Sequence, residues 1–391
     1  MKRKLRILYL TQLFSKEYGG GEYIFHNWAE EMAKRGHIVH VIVQHTPKEI
    51  ACTEKVHVKV TSPIKRYGGT LPPTLKDNFA YICSATIEGI HTVLKHDLDL
   101  VHSNTYAPTI VGGLMKALIK KYHVATIHDV INQQDHRYWR RWGQQVGVSW
   151  PIGFLGPLLE KVTLSMPADV IHTVSHTSEN DLIDMGVKNR IAVIPNGLDL
   201  GLYRIDSTVE EKPWISFIGR LVFYKNLPIL FAALKMLKRT EPSFKLMVIG
   251  DGPMRQEWQG MAVDMGLGED VIFCGRVSHE KKLKIIQASR AIAQPSYLEG
   301  FGLTLLESYA LKKPVLASKM PPLTELVQDG VDGYLVDPFN YQQWAQRLVD
   351  IISDPSKTKL MGERGYEKVK RHYSIARVCD SLEELYGPAV S

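Results

Sequence analysis

Short apolar runs alternate with stretches of helical period along the whole chain, and each run has the length of a strand. Continuous apolar runs of this kind are typical of parallel strands that are buried on both faces of a sheet. The pattern in the first half therefore predicts a doubly wound α/β domain. Its strands are predicted at residues 5–11, 37–44, 56–60, 98–103, 124–127, 168–174 and 191–194, and its helices at 22–35, 74–94, 109–122 and 177–185.

The same alternation restarts at residue 214, which predicts a second α/β domain. Between the halves, PNGLD at 195–199 has the composition of a compact turn, and 207–212 is polar and charged, so we expect the domain boundary there. The second half has predicted strands at 214–218, 245–249, 271–273, 291–295 and 314–317, and a short one within 330–336. Its helices are predicted at 227–238, just after Gly302, and at 340–352, 357–371 and 375–386.

Composition excludes several classes of protein. A chain of 391 residues with 45% apolar and 23% charged residues is typical of a globular protein with two domains. No apolar run reaches the ~18–20 residues of a membrane span. The start, MKRKLRILYLTQLF, lacks a small-residue cleavage site and predicts a buried first strand rather than a signal peptide. The cysteines at 52, 83, 274 and 379 are scattered, which favours neither a disulfide framework nor a metal site and makes the cytoplasm the expected location.

Positive charge is concentrated in the first half. Residues 1–190 hold 23 Lys and Arg against 17 Asp and Glu, a balance of +6, whereas the remainder holds 25 against 24, a balance of +1. The excess indicates an anionic partner such as a membrane surface, a phospholipid-linked acceptor or nucleic acid, although a solvated basic face would look the same.

Residues 133–162 depart from the strand and helix pattern by mixing Trp and Arg with Gly and Pro. Such a mixture favours peripheral contact with an anionic membrane, where indole rings lie at headgroup level and cations meet the lipid phosphates. The same residues could stack on bases, but no nucleic-acid motif accompanies them, and we expect no nucleic-acid partner. A helical insertion that packs on the first domain is the alternative.

The segment 294–316, QPSYLEGFGLTLLESYALKKPVL, carries the strongest chemical signal. Gly300 and Gly302 allow the backbone to turn sharply before a helix, and the N–H groups and dipole at the start of that helix suit a phosphate. Glu299 in the loop and Glu307 in the helix could face the same ligand. The arrangement fits a sugar nucleotide, with the diphosphate at the helix N-terminus and a carboxylate on each sugar. A strand, turn and helix with two solvated glutamates is the alternative.

Other strands of the second half also end in glycine and a polar residue. Gly219 and Arg220 follow the strand at 214–218, and Lys225 lies five residues further on, so these cations could neutralise a diphosphate that leaves during the reaction. Gly250 and Arg276 follow the next two strands.

Polar residues also end strands of the first half, at His102, Asn104, His128 and Asp129. Carboxyl ends of parallel strands share one edge of a sheet, where ligands bind. A histidine such as His128 could donate to a substrate oxygen there. The glycines at 19–21 form a glycine-rich first turn that does not match the dinucleotide pattern G-x-G-x-x-G, and simple turn chemistry explains them equally well.

Six short motifs occur in the order that is characteristic of one family. They are GGGE at 19–22, TIHD at 126–129, PNGLD at 195–199, GRLVFYKN at 219–226, GDGP at 250–253 and EGFGLTLLE at 299–307. Together they resemble the retaining GT-B glycosyltransferases of family 4, also called glycosyl transferases group 1, and they extend over most of the chain. The resemblance implies an α/β GT-B fold, in which two Rossmann-like domains face a central cleft. It also implies an acceptor-binding domain at 1–198 with a crossover helix at 373–391, and a nucleotide-sugar-binding domain at 207–372.

The resemblance also implies residue roles. Arg220 and Lys225 would hold the diphosphate, Glu299 would lie near the donor sugar, and Glu307 would bind ribose hydroxyls. His128 would face the sugar near its anomeric carbon, and His128, Glu299, Arg220 and Lys225 are the candidate catalytic residues. The candidate donor-binding residues are Gly19, Gly20, Gly219, Arg220, Lys225, Gly250, Arg276, Val277, Glu299, Gly300, Phe301, Gly302, Leu303, Thr304 and Glu307. One departure from many relatives is that Ser308 and Tyr309, rather than alanine, follow Glu307.

The implied reaction transfers a hexose from a UDP- or GDP-sugar to a lipid-linked or polysaccharide acceptor at the inner face of the cell membrane, with no cofactor and no catalytic metal. The acceptor hydroxyl would attack on the face from which the phosphate departs. Two other functions are compatible with the same fold, namely a sugar-nucleotide epimerase and a non-catalytic binding subunit. The presence of Glu299, Arg220 and Lys225 favours an enzyme, and the basic, Trp-rich stretch favours a transferase over an epimerase.

Overall fold

The computed structural model describes residues 3–15, 21–45, 52–64, 74–131, 138–145, 150–238 and 243–390. The chain divides into two compact units, Met1–Asn196 together with Ile375–Ser391, and Gly197–Ser374. The division falls inside the turn at 195–199. The acceptor-binding and donor-binding roles of the two domains stay predictions.

The first unit is built on a seven-stranded parallel sheet with the order β3-β2-β1-β4-β5-β6-β7. Its strands are β1 Arg6–Leu10, β2 Ile38–Val43, β3 Val56–Val60, β4 Leu100–Asn104, β5 Tyr122–Thr126, β6 Val170–Thr173 and β7 Arg190–Val193. Its helices are α1 Gly21–Lys34, α2 Leu75–His96, α3 Tyr106–Ile119, α4 Tyr138–Gln145, α5 Trp150–Leu164, α6 His176–Asp184 and, from the end of the chain, α14 Ile375–Tyr386. The strand order reverses beside β1, which pairs with β2 on one side and β4 on the other. Ligands of open α/β sheets bind at such a reversal.

A chain of hydrogen bonds through fully buried side chains ties α14 to this sheet. His172 Nε2 lies 2.9 Å from the carbonyl oxygen of Ile194, to which it can only donate, so its Nδ1 accepts from the Thr126 hydroxyl at 2.8 Å. Thr126 in turn accepts from His102 Nε2 at 2.6 Å, and His102 Nδ1 accepts from the Tyr386 hydroxyl at 2.6 Å. Burial lowers the pKa of both histidines, so each ring is neutral, and these contacts then define one tautomer for each. The network makes His102 a structural residue, although its position near a strand end suggested a ligand.

These buried histidines predict that the first unit loses stability in mild acid. Burial lowers the pKa of His123 and of His172 to about 4 and that of His128 to about 3, whereas an unfolded histidine has a pKa near 6.5. Between these values the unfolded chain binds more protons than the folded chain, so stability falls as the pH falls from about 6.5 towards 4. A group with a folded pKa of about 4 loses on the order of 2 kcal/mol between pH 7 and pH 5.

We therefore expect the melting temperature, followed by circular dichroism, to be several degrees lower at pH 5 than at pH 7. Aspartate and glutamate side chains with ordinary pKa values titrate mostly below pH 5, so a change in melting temperature between pH 7 and pH 5 reports mainly on the histidines. A melting temperature that is equal or higher at pH 5 would contradict the expectation.

The second unit is built on a six-stranded parallel sheet with the order β10-β9-β8-β11-β12-β13. Its strands are β8 Trp214–Ile218, β9 Lys245–Ile249, β10 Val271–Gly275, β11 Ala291–Gln294, β12 Val315–Ser318 and β13 Gly333–Val336. Its helices are α7 Pro228–Leu237, α8 Arg255–Asp264, α9 His279–Ala288, α10 Leu303–Ala310, α11 Leu323–Leu326, α12 Tyr341–Ser353 and α13 Pro355–His372. Here the strand order reverses between β8 and β11, which places the loops after these two strands at the same crevice.

The loop after β9 packs against the loop after β8 in a way that requires glycine. Gly250 has a φ of +132°, and a Cβ placed on it would lie 1.9 Å from the carbonyl oxygen of Gly219. Any larger residue would push these two loops apart at the edge where the predicted donor-binding residues lie.

The predicted elements are found with small shifts at their ends, and two regions differ more. The helix predicted at 109–122 begins three residues earlier, at Tyr106, because Pro108 lies in its first turn, where no intrahelical N–H bond is lost. The stretch 133–162 contains two helices, α4 and α5, in its described part. Among the helices that the structure describes, none is both long and apolar enough to cross a membrane.

Candidate functional site

Three side chains, one from the end of β11 and two from the segments after β8 and β11, meet at the reversal point of the second sheet. Lys225 follows β8, Gln294 ends β11, and Glu299 lies in the loop that follows β11. Lys225 Nζ lies 2.5 Å from Glu299 Oε1, and the amide nitrogen of Gln294 donates to the same oxygen. Since both described contacts reach Oε1, Oε2 is the carboxylate oxygen that can accept a hydrogen bond from a ligand.

The Lys225–Glu299 pair is largely shielded from water, with the side chains only 13% and 10% exposed. Burial acts to lower the pKa of the Lys225 ammonium, but the adjacent Glu299 carboxylate outweighs it and raises that pKa above its ordinary value. Lys225 therefore stays protonated at neutral pH. A cation that is held in a poorly solvated site interacts strongly with an anionic ligand.

The N-terminus of α10 lies beside this pair. Gly302, in the left-handed region with a φ of +104°, is its N-cap and makes no side-chain capping bond. The left-handed φ favours glycine here, and a Cβ at this position would also lie 2.9 Å from the Leu323 side chain, which would have to move. Thr304, the second residue of the helix, places its hydroxyl 3.3 Å from the amide oxygen of Gln294. The first N–H groups of the helix can bind an anion.

Glu307 is held in the same way as Glu299. It is buried, at 9% exposure, and its Oε1 accepts from the Tyr203 hydroxyl at 2.9 Å and from Lys282 Nζ at 2.7 Å. Among the described contacts both again reach Oε1, so Oε2 can accept from a ligand. Each glutamate thus has one oxygen fixed by a lysine and a second donor, and the other oxygen in position for hydroxyl groups.

The remaining predicted residues of this unit lie along the same edge of the sheet. Gly219 and Arg220 follow β8 directly, and Arg220 is half-buried. Gly300 and Leu303 flank the turn into α10, and Phe301 within it is buried. Arg276 is exposed and Val277 half-buried in the loop after β10, two strands away from β8 and so roughly 10 Å along the edge. The structure therefore brings Lys225, Glu299 and the start of α10 together and places Arg276 and Val277 further out.

His128 belongs to the first unit. The amide oxygen of Asn104 can only accept, so His128 donates to it from Nε2 at 3.0 Å. In the neutral ring Nδ1 is then the acceptor nitrogen. Burial first, and His172 second, lower its pKa to about 3. The same Asn104 donates to Thr11 at 3.2 Å, which fixes the orientation of its amide. Gly19 and Gly20 lie outside the described residues.

Three residues of the site were not predicted from the sequence. Gln294 had a usable signal, since a polar residue in an otherwise apolar strand must have a buried partner. Lys282 and Tyr203 had none, because a lysine among the other charges of α9 and a tyrosine after a short turn look like ordinary surface residues. Their role depends on contacts with Glu307, which is 25 and 104 residues away in sequence.

Two family descriptions match the chain. "Glycosyltransferase Family 4" matches residues 18–202, and "Glycosyl transferases group 1" matches residues 204–368. An uncharacterized glycosyltransferase of Methanocaldococcus jannaschii is 26% identical over 78% of this chain and 80% of its own length. The chain spans about half the length of two further relatives, 55% of the alpha-D-kanosaminyltransferase of Streptomyces kanamyceticus and 47% of the D-inositol 3-phosphate glycosyltransferase of Segniliparus rotundus.

Solved structures with the same fold cover nearly the whole chain. Sucrose-phosphate synthase from Thermosynechococcus elongatus has a TM-score of 0.81 at 21% identity, over 98% of this chain and 99% of that one. Anabaena HepE in complex with UDP-glucose has a TM-score of 0.77 at 21% identity, over 98% and 100%. The predicted two-domain, Rossmann-like α/β fold is confirmed. With both halves matched in order, the chain belongs to glycosyltransferase family 4, the glycosyl transferases group 1, and has the GT-B fold.

Proposed function

We propose that this glycosyltransferase moves a hexose, with retention of its anomeric configuration, from a nucleoside diphosphate sugar to a lipid-linked or polysaccharide acceptor at the inner face of the cell membrane. The observation that supports this most is the position of the Lys225–Glu299 pair beside the N-terminus of α10. A cation and free helix N–H groups suit a diphosphate, and a carboxylate next to them suits sugar hydroxyls.

Each residue then has a defined task. Lys225, Arg220 and the first N–H groups of α10 neutralise the charge that develops on the departing phosphate oxygens. Glu299 orients the hexose through Oε2, and Glu307 accepts from the ribose hydroxyls through its own Oε2. The acceptor hydroxyl passes its proton to a departing phosphate oxygen as it attacks the same face of the sugar. The role of His128 towards the sugar stays a prediction.

Donor class is tested by a thermal-shift panel of UDP, GDP, ADP and their sugars, with and without EDTA. Because protein cations carry the neutralising charge, we expect one base to stabilise the protein equally in both conditions. A nucleotide at 100 times its dissociation constant stabilises the folded protein by about 2.7 kcal/mol. For a domain of this size, each kcal/mol raises the melting temperature by roughly 2–4 °C. UDP is the first candidate, since HepE was solved with UDP-glucose. The absence of any shift would contradict the proposal, and a shift that EDTA removes would contradict metal independence.

Membrane contact is supported by one face of α5. Leu155, Leu158 and Val162 recur at helical spacing and are 42%, 57% and 40% exposed, and Lys161 beside them is exposed as well. The nearby Trp139 does not add to this face. It is buried against Tyr106, and a Cβ on Gly156 would lie 2.4 Å from its ring.

We expect the protein to sediment with vesicles that contain anionic phospholipid and less well with neutral ones. Replacing Leu158 with Glu should reduce this binding. Replacing Leu360, an exposed leucine of the second unit, with Glu is the matched control and should leave binding unchanged. Equal sedimentation of all three proteins would contradict the assignment of this face.

A further inference from the structure

A cluster of metal-binding side chains lies in the first unit. His26 and Glu30 belong to α1, and Cys52 begins the described segment that leads into β3. One ligand atom of each residue, a ring nitrogen, a carboxylate oxygen and the sulfur, lies within 4.8 Å of the other two. We propose that these three residues form a zinc-binding site.

Helical spacing and packing pre-arrange the ligands. His26 and Glu30 are four residues apart on α1 and therefore lie on one face of the helix. The Glu30 carboxylate accepts from the backbone N–H of Thr53 at 3.1 Å, which holds the residue next to Cys52 beside the helix. His26 is 1% exposed, with its ring centroid 5.0 Å from that of Phe14. Two of the three ligands are thus anchored through neighbours in the fold.

The donor set selects the metal. Sulfur, imidazole nitrogen and carboxylate oxygen suit Zn²⁺, whereas Ca²⁺ and Mg²⁺ prefer oxygen ligands alone. Zinc–ligand bonds of about 2.0–2.3 Å place the ligand atoms of a tetrahedral site about 3.3–3.8 Å apart, so side-chain rotations that shorten the present separations by about 1 Å would close the site. A thiolate, a carboxylate and a neutral imidazole balance the two charges of the ion, and binding releases the Cys52 thiol proton to solvent.

Zinc at this position would connect α1 to the segment before β3. It would also lie at the second and third turns of α1, which begins at Gly21. Its proposed role is to stabilise the first unit, and this role does not depend on the chemistry proposed for Lys225 and Glu299. The cysteine spacing in the sequence does not predict it, because a single cysteine joins a histidine and a glutamate 22–26 residues earlier.

The test uses the full chain without an affinity tag, titrated with Co²⁺ and then Zn²⁺. We expect one equivalent of Co²⁺ to give the near-ultraviolet absorption of a cobalt–thiolate bond, and Zn²⁺ to displace it. Cys52→Ser should abolish this absorption and weaken Zn²⁺ binding by about tenfold or more. Cys83→Ser is the matched control, since Cys83 is an exposed thiol on α2 of the same unit, and it should bind as the unaltered protein does. Absence of the absorption, or its survival in Cys52→Ser, would overturn the proposal.

A second measurement needs no variant. Zn²⁺ should slow the alkylation of Cys52 by iodoacetamide, read by mass spectrometry, and leave Cys83 unprotected. Equal reaction of Cys52 with and without Zn²⁺ would overturn the proposal, even if Cys52→Ser failed to fold.

Discussion

Replacing Lys225 with Ala is expected to lower kcat/KM for the sugar nucleotide by about 10²–10³-fold, the range found when one group that stabilises developing negative charge is removed. The expectation follows from the position of the ammonium, which lies 2.5 Å from Glu299 in a site that is almost closed to water. In that site the attraction between the ammonium and a departing phosphate is poorly screened. Binding of the free nucleoside diphosphate, measured by calorimetry, should weaken as well.

Two controls, a melting temperature and a second variant, separate this effect from damage to the fold. Lys225→Ala leaves Glu299 without its cation, so its melting temperature must be measured alongside its activity. Lys238→Ala is the matched control. Lys238 is also paired with a carboxylate, Asp270 at 2.5 Å, but Asp270 directly precedes β10 and so lies at the opposite edge of the same sheet. This variant should keep its nucleotide affinity. Unchanged nucleotide affinity in Lys225→Ala would rule out the diphosphate role.

Replacing Glu299 with Gln is expected to separate sugar positioning from nucleotide binding. The amide oxygen can still accept from Lys225 and Gln294, but an NH₂ group takes the place of the oxygen proposed to accept from the hexose. Loss of a hydrogen bond to a charged group, worth about 1.5–3 kcal/mol, should lower kcat by about 10- to 100-fold. Affinity for the nucleoside diphosphate without its sugar should be equal or higher, because Lys225 is no longer neutralised by a carboxylate.

Glu307→Gln is the matched control for this variant, because Glu307 is held by the same kind of lysine contact. It should give the opposite result, with weaker binding of the free nucleoside diphosphate and a smaller change in kcat. If Glu299→Gln weakens binding of the free nucleoside diphosphate as much as Glu307→Gln does, the assignment of the two carboxylates to different sugars is wrong.

Local signals in the sequence predict the fold well because buried strands of a parallel sheet need continuous apolar runs. Strands 214–218 and 245–249 are found at the predicted residues, and α10 begins directly after Gly302, where a glycine N-cap precedes an amphipathic helix. The order of the strands within the sheet, by contrast, cannot be predicted from these local signals. The neighbours β8 and β11, which bring Lys225 to Glu299, are separated by two strands along the chain.

Residues whose role depends on distant partners are the ones that sequence patterns misplace. Trp139 has the composition signal of a membrane anchor, yet it fills space that Gly156 leaves open within the unit. His102 lies near the end of a strand as a ligand-binding residue would, but it bonds to Tyr386, 284 residues later. In each case the deciding contact is made by a residue that no local pattern connects to it.

The most direct test of the account follows the anomeric configuration of the sugar by proton NMR, using the sugar nucleotide selected in the thermal-shift panel and EDTA throughout. We predict that the nucleotide sugar is consumed and that the first product keeps the configuration that the sugar had on the phosphate. A product of inverted configuration would contradict same-face attack. Binding without any consumption, when acceptor glycans and lipid-linked acceptors are supplied, would contradict the assignment as a transferase of nucleotide-activated sugars.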